Sequence, residues 1–325
     1  YNDRSEVISD SLGSGRSYSY HYDNMGNRTT SLEHGNMVIY VTNPLNQYTS
    51  VRPHVIINSI PDAAPASLPG EFFPEYDADG NQTLVKTATG IWTVAYNAQN
   101  QATAFTKDTK RIECVYDYLN RRVEKTVYDG DTLVSRKRFI YLGYLQVAEL
   151  DATNETETAS PILRKTYLWD PVESVATRIL AMSVFDEAGV YQEDLYYTHD
   201  LLKNTTALFG IQGGRRALYE YSPYGDIIKM EGNAAEINPF RFSSEYLDDD
   251  LGLVYYNYRY YNVVDGRWIN RDPMAENAGF NLYCFVSNKL SIDYLGLIEL
   301  DNVLKQLKER LEKKARAEAQ QRCIA

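Results

Sequence analysis

Two aspartates near the end of the chain, Asp272 and Asp293, could carry out acid–base chemistry if the fold brings their carboxyl groups together. Two carboxyl groups held close together cannot both ionise at low cost, so one keeps a proton and acts as an acid while the other acts as a base toward water. A buried arginine beside such a pair can hold and orient one carboxylate through a bidentate contact. The residue types alone favour a simpler interpretation, in which Asp272-Pro273 is a turn and Asp293 is a cap or a loop ligand, because Asp-Pro is a common turn pair.

Other residues that could bind a metal or catalyse a reaction are better explained as structural. Asp248-Asp249-Asp250 could form a calcium cluster or a glycosidase acid pair, but it precedes Leu251-Gly252 between two strand-like runs, which favours a solvated hairpin tip. The histidines have no close metal-ligand spacing: His21, His34, His54 and His199. The cysteines lie far apart and are predicted to be small buried thiols: Cys114, Cys284 and Cys323. No phosphate-binding glycine loop occurs, so the sequence predicts no metal and no cofactor.

The composition is typical of an antiparallel, mostly β protein. The 325 residues include 28 tyrosines against 10 phenylalanines, and tyrosine favours pleated, half-buried surfaces. The 19 glycines, with many Asn and Asp residues, supply turns. A net charge of -11 argues against a nucleic-acid footprint, and the densest basic stretch, Arg136-Lys137-Arg138, is short. No stretch approaches the roughly 20 apolar residues of a membrane span.

A repeat organises the strands. Tyr or Thr followed by Asp or Asn opens similar units at positions 22 and 42, and again at 76, 96 and 116, each twenty residues apart. Each unit has an alternating run, an Asp/Asn turn with Gly or Asn near its end, and a second alternating run. Such a turn needs positive φ, which costs Gly and Asn least. We therefore expect hairpins that join edge to edge into one continuing sheet, with the proline-rich stretch 58–74 as a surface loop or edge excursion.

An ordered set of motifs fills residues 238–297. It comprises Asn238-Pro239-Phe240-Arg241-Phe242, a tyrosine-rich run from Glu245 to Tyr261, Gly266-Arg267-Trp268-Ile269-Asn270-Arg271-Asp272-Pro273, Asn281-Leu282-Tyr283 and Asp293-Tyr294-Leu295-Gly296-Leu297. This order resembles the RHS repeat-associated core domain, and the repeats before it resemble the YD repeat of the RHS/YD-repeat shell proteins. The resemblance implies an all-β hairpin strip, residues 1–237, forming part of a hollow shell and closed by a core at residues 238–297.

The resemblance also implies an activity. In that family two aspartates act as an aspartic-protease-like pair that cuts the chain after the Gly-Leu following the second. The matching residues are Asp272, Asp293 and Arg259, and the cut falls between Leu297 and Ile298. Ala275 stands where the family has glycine, Tyr294 stands where it has proline, and the interval from Ala275 to Asp293 is one residue shorter. The implied enzyme is an autoproteolytic, aspartic-type peptidase acting on its own chain.

The composition changes after Leu297. Residues 298–325 are rich in Leu, Lys, Glu and Ala, and an apolar face repeats at three and four residues: Leu300, Val303, Leu304, Leu307 and Leu311. This spacing predicts an amphipathic helix. Family members carry a variable effector, often a toxin, after this junction. The resemblance therefore implies a shell that encapsulates and delivers a C-terminal effector, with the helix as the start of that effector, a plug or a packed tail.

A second interpretation is a cell-surface structural or carbohydrate-binding YD-repeat protein with an inactive core, because aromatic rings suit sugar faces. The expected partners are the chain's own C-terminal effector segment, secretion or delivery machinery, and glycans, with no nucleic acid and no membrane span. The expected location is secreted or on the bacterial cell surface. Because Tyr1 lies inside a repeat, we expect the chain to be a fragment in which no signal is visible.

Overall fold

Strands dominate the chain, and every pairing between them is antiparallel. The structure is a computed structural model, and it describes residues 1–12, 15–33, 35–54, 70–156, 159–172, 178–277, 279–289, 291, 293–294 and 296–299. The prediction of an all-β fold is confirmed.

The strands form four sheets, and within each sheet neighbours in sequence are neighbours in space. The first sheet contains β1 (Ser9–Ser11), β2 (Ser17–Tyr22), β3 (Arg28–Glu33), β4 (Asn36–Thr42) and β5 (Tyr48–His54). The second has fourteen strands: β6 (Glu75–Tyr76), β7 (Gln82–Thr87), β8 (Gly90–Tyr96), β9 (Ala102–Lys107), β10 (Lys110–Tyr116), β11 (Arg122–Asp129), β12 (Thr132–Leu142), β13 (Leu145–Asp151), β14 (Ile162–Trp169), β15 (Ile179–Phe185), β16 (Tyr191–His199), β17 (Thr205–Gly210), β18 (Arg215–Tyr221) and β19 (Ile227–Glu231). We call these two sheets together the strip.

Two smaller sheets and three short 3-10 helices lie in the segment 238–299. The sheets are β20 (Tyr246–Asp248), β21 (Leu253–Tyr256), β22 (Arg259–Asn262) with β23 (Arg267–Trp268), and β24 (Asp293–Tyr294) with β25 (Ile298–Glu299). The 3-10 helices are Phe242–Ser244, Ala275–Asn277 and Val286–Asn288.

One turn geometry explains the sequence repeat. In the turn from Asp77 to Asn81, the Asp77 amide donates to the Asn81 carbonyl at 2.9 Å and the Gly80 amide to the Asp77 carbonyl at 3.1 Å. The Asp77 carboxylate accepts the Asp79 and Asn81 amides at 3.0 and 2.8 Å. Gly80 has φ +87°, as the predicted turn requires. The same bonds recur in turns that begin at Asp23, Asn43, Asn97, Asp117, Asp186 and Asp200.

The tyrosine before such a turn fastens one hairpin to the next. The Tyr96 hydroxyl donates to the Gln82 carbonyl at 2.9 Å, and the Tyr116 hydroxyl donates to the Ala102 carbonyl at 2.8 Å. The strand pairing shifts register beside both tyrosines, so the ladder is locally interrupted there. The acceptors lie at the register shifts of the preceding hairpins, where Gln82 is opposite Tyr76 and Ala102 is opposite Tyr96. Each hydroxyl therefore supplies a bond at the interruption in the preceding hairpin, which gives the tyrosine-rich composition a structural cause.

The two ends of the strip meet. The hydroxyls of Tyr22 and Tyr224 are hydrogen-bonded to each other, and the rings of Tyr20 and Tyr224 pack edge to face with centroids 5.0 Å apart. The guanidinium of Arg28 lies over both rings, at 4.6 Å from Tyr20 and 4.2 Å from Tyr224. The first and last hairpins of the strip therefore form one joint.

The described residues of the segment 238–297 contact the strip near both of its ends and at its middle. It contacts the first sheet through Arg267 and Asn46, the middle of the strip through Tyr255 and Arg122, and its far end through an Arg241 carbonyl bond to the Thr205 amide. The shared core contains apolar residues from both parts: Val85, Trp92, Phe105, Ile112, Val127, Ile179, Met182, Leu195 and Leu208 from the strip, and Phe240, Tyr246, Leu253, Tyr255 and Tyr260 from the segment. The strip and this segment thus share one hydrophobic core.

Two predictions about local structure are wrong. Ile298–Glu299 form a strand paired with Asp293–Tyr294 across a turn in which Gly296 has φ +73°, so no helix begins at residue 298. These two residues precede the apolar face that begins at Leu300, and backbone pairing with β24 decides their conformation. The rest of the predicted helix, residues 300–325, lies outside the described residues, as do residues 58–69 of the proline-rich stretch 58–74.

The second correction concerns Asp248, which we expected in a solvated hairpin tip. A hairpin is present, but Asp248 is fully buried and forms ion pairs with Arg122 at 2.7 Å and Lys125 at 2.5 Å. Asp249 remains mostly exposed and Asp250 partly so. The strip provides the cations that allow a carboxylate to be buried at this position.

Candidate functional site

The predicted site residues come from three different elements of the C-terminal segment. Arg259 begins β22, directly after the tight connection from β21. Asp272 follows β23, and its amide donates to the Leu282 carbonyl at 2.9 Å. Asp293 begins β24. All three side chains are almost completely buried.

One nitrogen of Arg259 lies close to the carboxyl groups of both aspartates. Nη2 of Arg259 lies 2.8 Å from Oδ2 of Asp272 and 3.5 Å from Oδ2 of Asp293. The guanidinium also lies over the Trp268 ring, 4.1 Å from its centroid. The structure therefore brings Asp272, Asp293 and Arg259 together, despite the shorter interval between the aspartate motifs.

The predicted cleavage junction lies at the same site. Nε of Arg259 donates to the Gly296 carbonyl, and Oδ1 of Asp293 accepts the amide of Leu297 at 2.9 Å. Ile298 follows in β25, and its side chain is outside the described atoms. The backbone on the N-terminal side of the Leu297–Ile298 bond is thus held by two of the three site residues.

Gly296 allows this close approach. A Cβ at this position would lie 3.0 Å from the Tyr256 carbonyl oxygen and 3.1 Å from the Tyr256 Cβ. The φ of +73° is also one that L side chains rarely adopt. Both observations make a side chain at residue 296 unfavourable while the bond to Arg259 is kept.

Burial controls the protonation of the site. It raises the pKa of Asp272 above its usual value, although Arg259 opposes the shift. Burial also raises the pKa of the nearby Glu245 well above its usual value, and the charge of Asp293 adds to that rise. The site therefore contains one aspartate that retains a proton to higher pH than usual, as an acid–base pair requires.

A cavity of about 280 Å³ opens onto the site. Its lining includes Arg259, Asp272, Asp293 and Leu297, together with residues from the beginning of the chain such as Arg4 and Glu6. A cavity of this size can admit the water molecules that hydrolysis consumes. Within the described ranges, no group of three or more His, Cys, Asp or Glu residues could hold a metal ion.

Sequence reasoning missed several residues of the site. Trp268 was part of a recognised motif, but nothing in the sequence indicated that its ring would pack against the guanidinium of Arg259. Glu6 and the turn at Gly26 were missed because more than 230 residues separate them from the aspartates. Of the cysteines, Cys114 is buried as predicted, Cys284 is half-buried beside the cavity and Cys323 lies outside the described residues.

No known protein family description matches the chain. Among curated proteins, the chain is 28% identical over 240 residues to the double-stranded DNA deaminase toxin A of Burkholderia cenocepacia (strain H111), an alignment that covers 69% of this chain and 17% of that protein. It is 26% identical over 288 residues to the toxin subunit YenC1 of Yersinia entomophaga, covering 83% of this chain and 27% of that protein. The chain spans less than a third of the length of either relative.

A solved structure has the same fold. The crystal structure of TcdB2-TccC3 without its hypervariable C-terminal region matches with a TM-score of 0.51 at 19% identity, covering 87% of this chain and 17% of that one. None of the helices in the described part of the chain has the length and apolarity of a membrane span. The chain is therefore an all-β protein that shares its fold with part of TcdB2-TccC3 and is similar in sequence to parts of bacterial toxin proteins.

Proposed function

We propose that the chain is part of an RHS/YD-repeat shell protein and that it hydrolyses its own backbone between Leu297 and Ile298. The motif order of residues 238–297 supports the family, and the toxin names of the relatives support a role in a toxin. The proposed division is a strip at residues 1–237, a core at 238–297 and a C-terminal segment at 298–325.

One observation supports the activity most strongly: Arg259 contacts both aspartates and also the backbone of the predicted cleavage junction. Arg259 contacts Asp272, Asp293 and the carbonyl of Gly296, and Asp293 holds the amide of Leu297. A turn or a cap would explain each aspartate separately, but neither explains why both meet at the predicted junction. Holding the reacting groups in this way removes much of the entropic barrier to hydrolysis.

The chemistry is that of an acid–base carboxylate pair. Asp293 takes a proton from water while the water oxygen bonds to the carbonyl carbon of Leu297. Asp272, which retains its proton to higher pH because of burial, donates that proton to the amide nitrogen of Ile298. The carbon–nitrogen bond breaks, leaving a carboxyl group on Leu297 and an amino group on Ile298. Arg259 orients both carboxyl groups and stays charged throughout.

If an effector follows the junction, cleavage would separate it from the rest of the chain. The shell would encase the segment after Leu297, and the cut would free that segment while it remains enclosed. Secretion or a bacterial cell-surface location, delivery machinery and glycan contacts belong to this proposal as predictions. The half-buried tyrosines Tyr96 and Tyr116 use their hydroxyls in hydrogen bonds within the sheet.

Denaturing intact mass on the purified chain tests the activity, with Asp272→Asn and Asp293→Asn beside the parent. We expect the parent to separate into two pieces that divide between Leu297 and Ile298, and both variants to remain whole. Asp265→Asn is the matched control, because Asp265 is a buried aspartate of the same segment without a contact to Arg259 in any described bond. A parent chain that remains whole, or variants that cleave like the parent, contradict the proposal.

A further inference from the structure

The beginning of the chain forms part of the wall of the cleavage cavity. Arg4, Glu6 and the turn residues Met25 and Gly26 line it beside Asp272. Glu6 is buried and paired with Arg4 at 2.7 Å. The cavity is therefore complete only where the first hairpin of the strip lies against the C-terminal segment.

Asn27, the last residue of the first turn, makes the central contact between these parts. Its Oδ1 accepts hydrogen bonds from Nδ2 of Asn281 at 2.8 Å and from Nη2 of Arg267 at 3.3 Å. Nδ2 of Asn281 also donates to the Met25 carbonyl at 3.0 Å. The first turn thus fixes the position of Asn281.

Asn281 precedes Leu282, whose backbone forms a hydrogen bond with Asp272. The carbonyl of the next residue, Leu282, accepts the Asp272 amide at 2.9 Å. Asp272 in turn contacts Arg259, which holds Gly296. A continuous series of hydrogen bonds and ion pairs therefore leads from the first turn to the scissile junction.

A second contact fixes the other end of the same stretch. Nδ2 of Asn288 donates to the Gly26 carbonyl at 2.7 Å, and the Asn288 carbonyl accepts the Val7 amide at 2.8 Å. The hydroxyl of Tyr224, from the last hairpin of the strip, lies 3.4 Å from Oδ1 of Asn288. Residues 281–288 are therefore held where the two ends of the strip meet.

We propose that Asn27 is a positioning residue for self-cleavage, so that the chain cuts itself only after the first turn has docked and the strip has closed. This inference rests on the proposed self-cleavage. It assigns the docked turn a role in timing: an open strip keeps the Leu297–Ile298 bond intact, and closure around the segment aligns Asp272 with Arg259. An effector would then be released only inside a closed strip.

The chain offers a matched pair of residues for the test. Asn27 and Asn81 occupy the same place in their turns and are both buried. Each donates to the aspartate that opens its turn, at 2.8 and 2.9 Å, and each donates to the asparagine of the next turn at 2.8 Å. Asn27 alone of the two also bonds to Asn281 and Arg267.

The experiment follows cleavage over time in a cell-free translation reaction, with intact mass as the readout and thermal unfolding of each purified chain as a stability check. We expect Asn27→Ala to cleave about ten- to a hundredfold more slowly than the parent, the scale expected for a misplaced reacting group. Asn81→Ala should cleave at the parent rate with a similar loss of stability. Asn281→Ala removes the donor of the contact to Asn27 and should slow cleavage to a similar extent.

Three results overturn the inference in distinguishable ways. If the parent does not cleave, the proposed function fails and this inference fails with it. If the parent cleaves and Asn27→Ala and Asn81→Ala are equally fast or equally slow, self-cleavage stands but Asn27 has no positioning role. If Asn281→Ala cleaves at the parent rate, the contact between Asn27 and Asn281 is not what the reaction needs.

Discussion

The buried carboxylate of Asp248 fastens the β20–β21 hairpin to the strip, and its removal tests how the two parts are held together. Asp248 is fully buried between Arg122, at 2.7 Å, and Lys125, at 2.5 Å. Replacing it by Asn keeps its volume and removes the carboxylate that pairs with buried Arg122, while Lys125 keeps its pair with Asp250 at 2.8 Å. Removing one partner of a buried ion pair costs about 3–5 kcal/mol of the free energy of unfolding.

The adjacent aspartate provides the control. Asp249 pairs with Arg241 at 2.8 Å, but its side chain is 57% exposed, and Arg241 also donates to backbone carbonyls. Because exposed pairs contribute little, Asp249→Asn should cost about 1 kcal/mol or less. Urea unfolding of both variants, followed by intrinsic fluorescence, measures the difference. A loss below about 1 kcal/mol for Asp248→Asn would refute the argument for a buried anchor.

The stability difference between the parent and Asp248→Asn should depend on pH. Although burial opposes ionisation, Lys125 and Arg122 hold the pKa of Asp248 well below its usual range. A depressed pKa in the folded state stabilises the fold above the unfolded value of about 3.9, and this contribution is lost as the pH falls below it. The gap between the parent and Asp248→Asn should therefore narrow in acid. A gap that stays constant from neutral pH into acid contradicts the assignment.

Three further outcomes are expected. Ala275→Gly should raise the free energy of unfolding by about 1 kcal/mol, because Ala275 has φ +49°, and urea unfolding will check it. Gly296→Ala should slow cleavage at least about tenfold, since a Cβ would crowd Tyr256 at 3.0 Å and displace the junction, and timed intact mass will show it. Burial raises the pKa of Asp265 to about 6, so its ionisation costs stability as the pH rises through that value. The free energy of unfolding of Asp265→Asn should therefore exceed that of the parent by about 1–3 kcal/mol between about pH 4 and 7. Equal values for the two proteins in urea unfolding would contradict this.

Local features of the fold could be predicted from the sequence because they depend on neighbouring residues. The turn from Asp77 to Asn81 is specified by a carboxylate that accepts amides two and four residues away, and by a glycine that supplies positive φ. The same local rules gave the hairpins and their edge-to-edge order. The family resemblance added the three site residues, which the structure places together.

Long-range features could not be predicted. Asp248 follows the pattern of a solvated tip, and the cations that bury it, Arg122 and Lys125, lie more than 120 residues earlier. Contacts of Asn27 with Asn281 join residues 254 apart. Ile298 pairs with β24 across the turn at Gly296, a contact that the helical spacing from Leu300 onward does not indicate. Such contacts depend on how the strip closes, and no periodicity in the sequence records that closure.

The most direct test of self-cleavage is denaturing intact mass on parent chain translated in water enriched in heavy oxygen. The account predicts two pieces, one ending at Leu297 and one beginning at Ile298, with one solvent oxygen in the new carboxyl group of Leu297. A single full-length mass, or cleavage at any other bond, would contradict the claim that Asp272, Asp293 and Arg259 form a hydrolytic site for this junction.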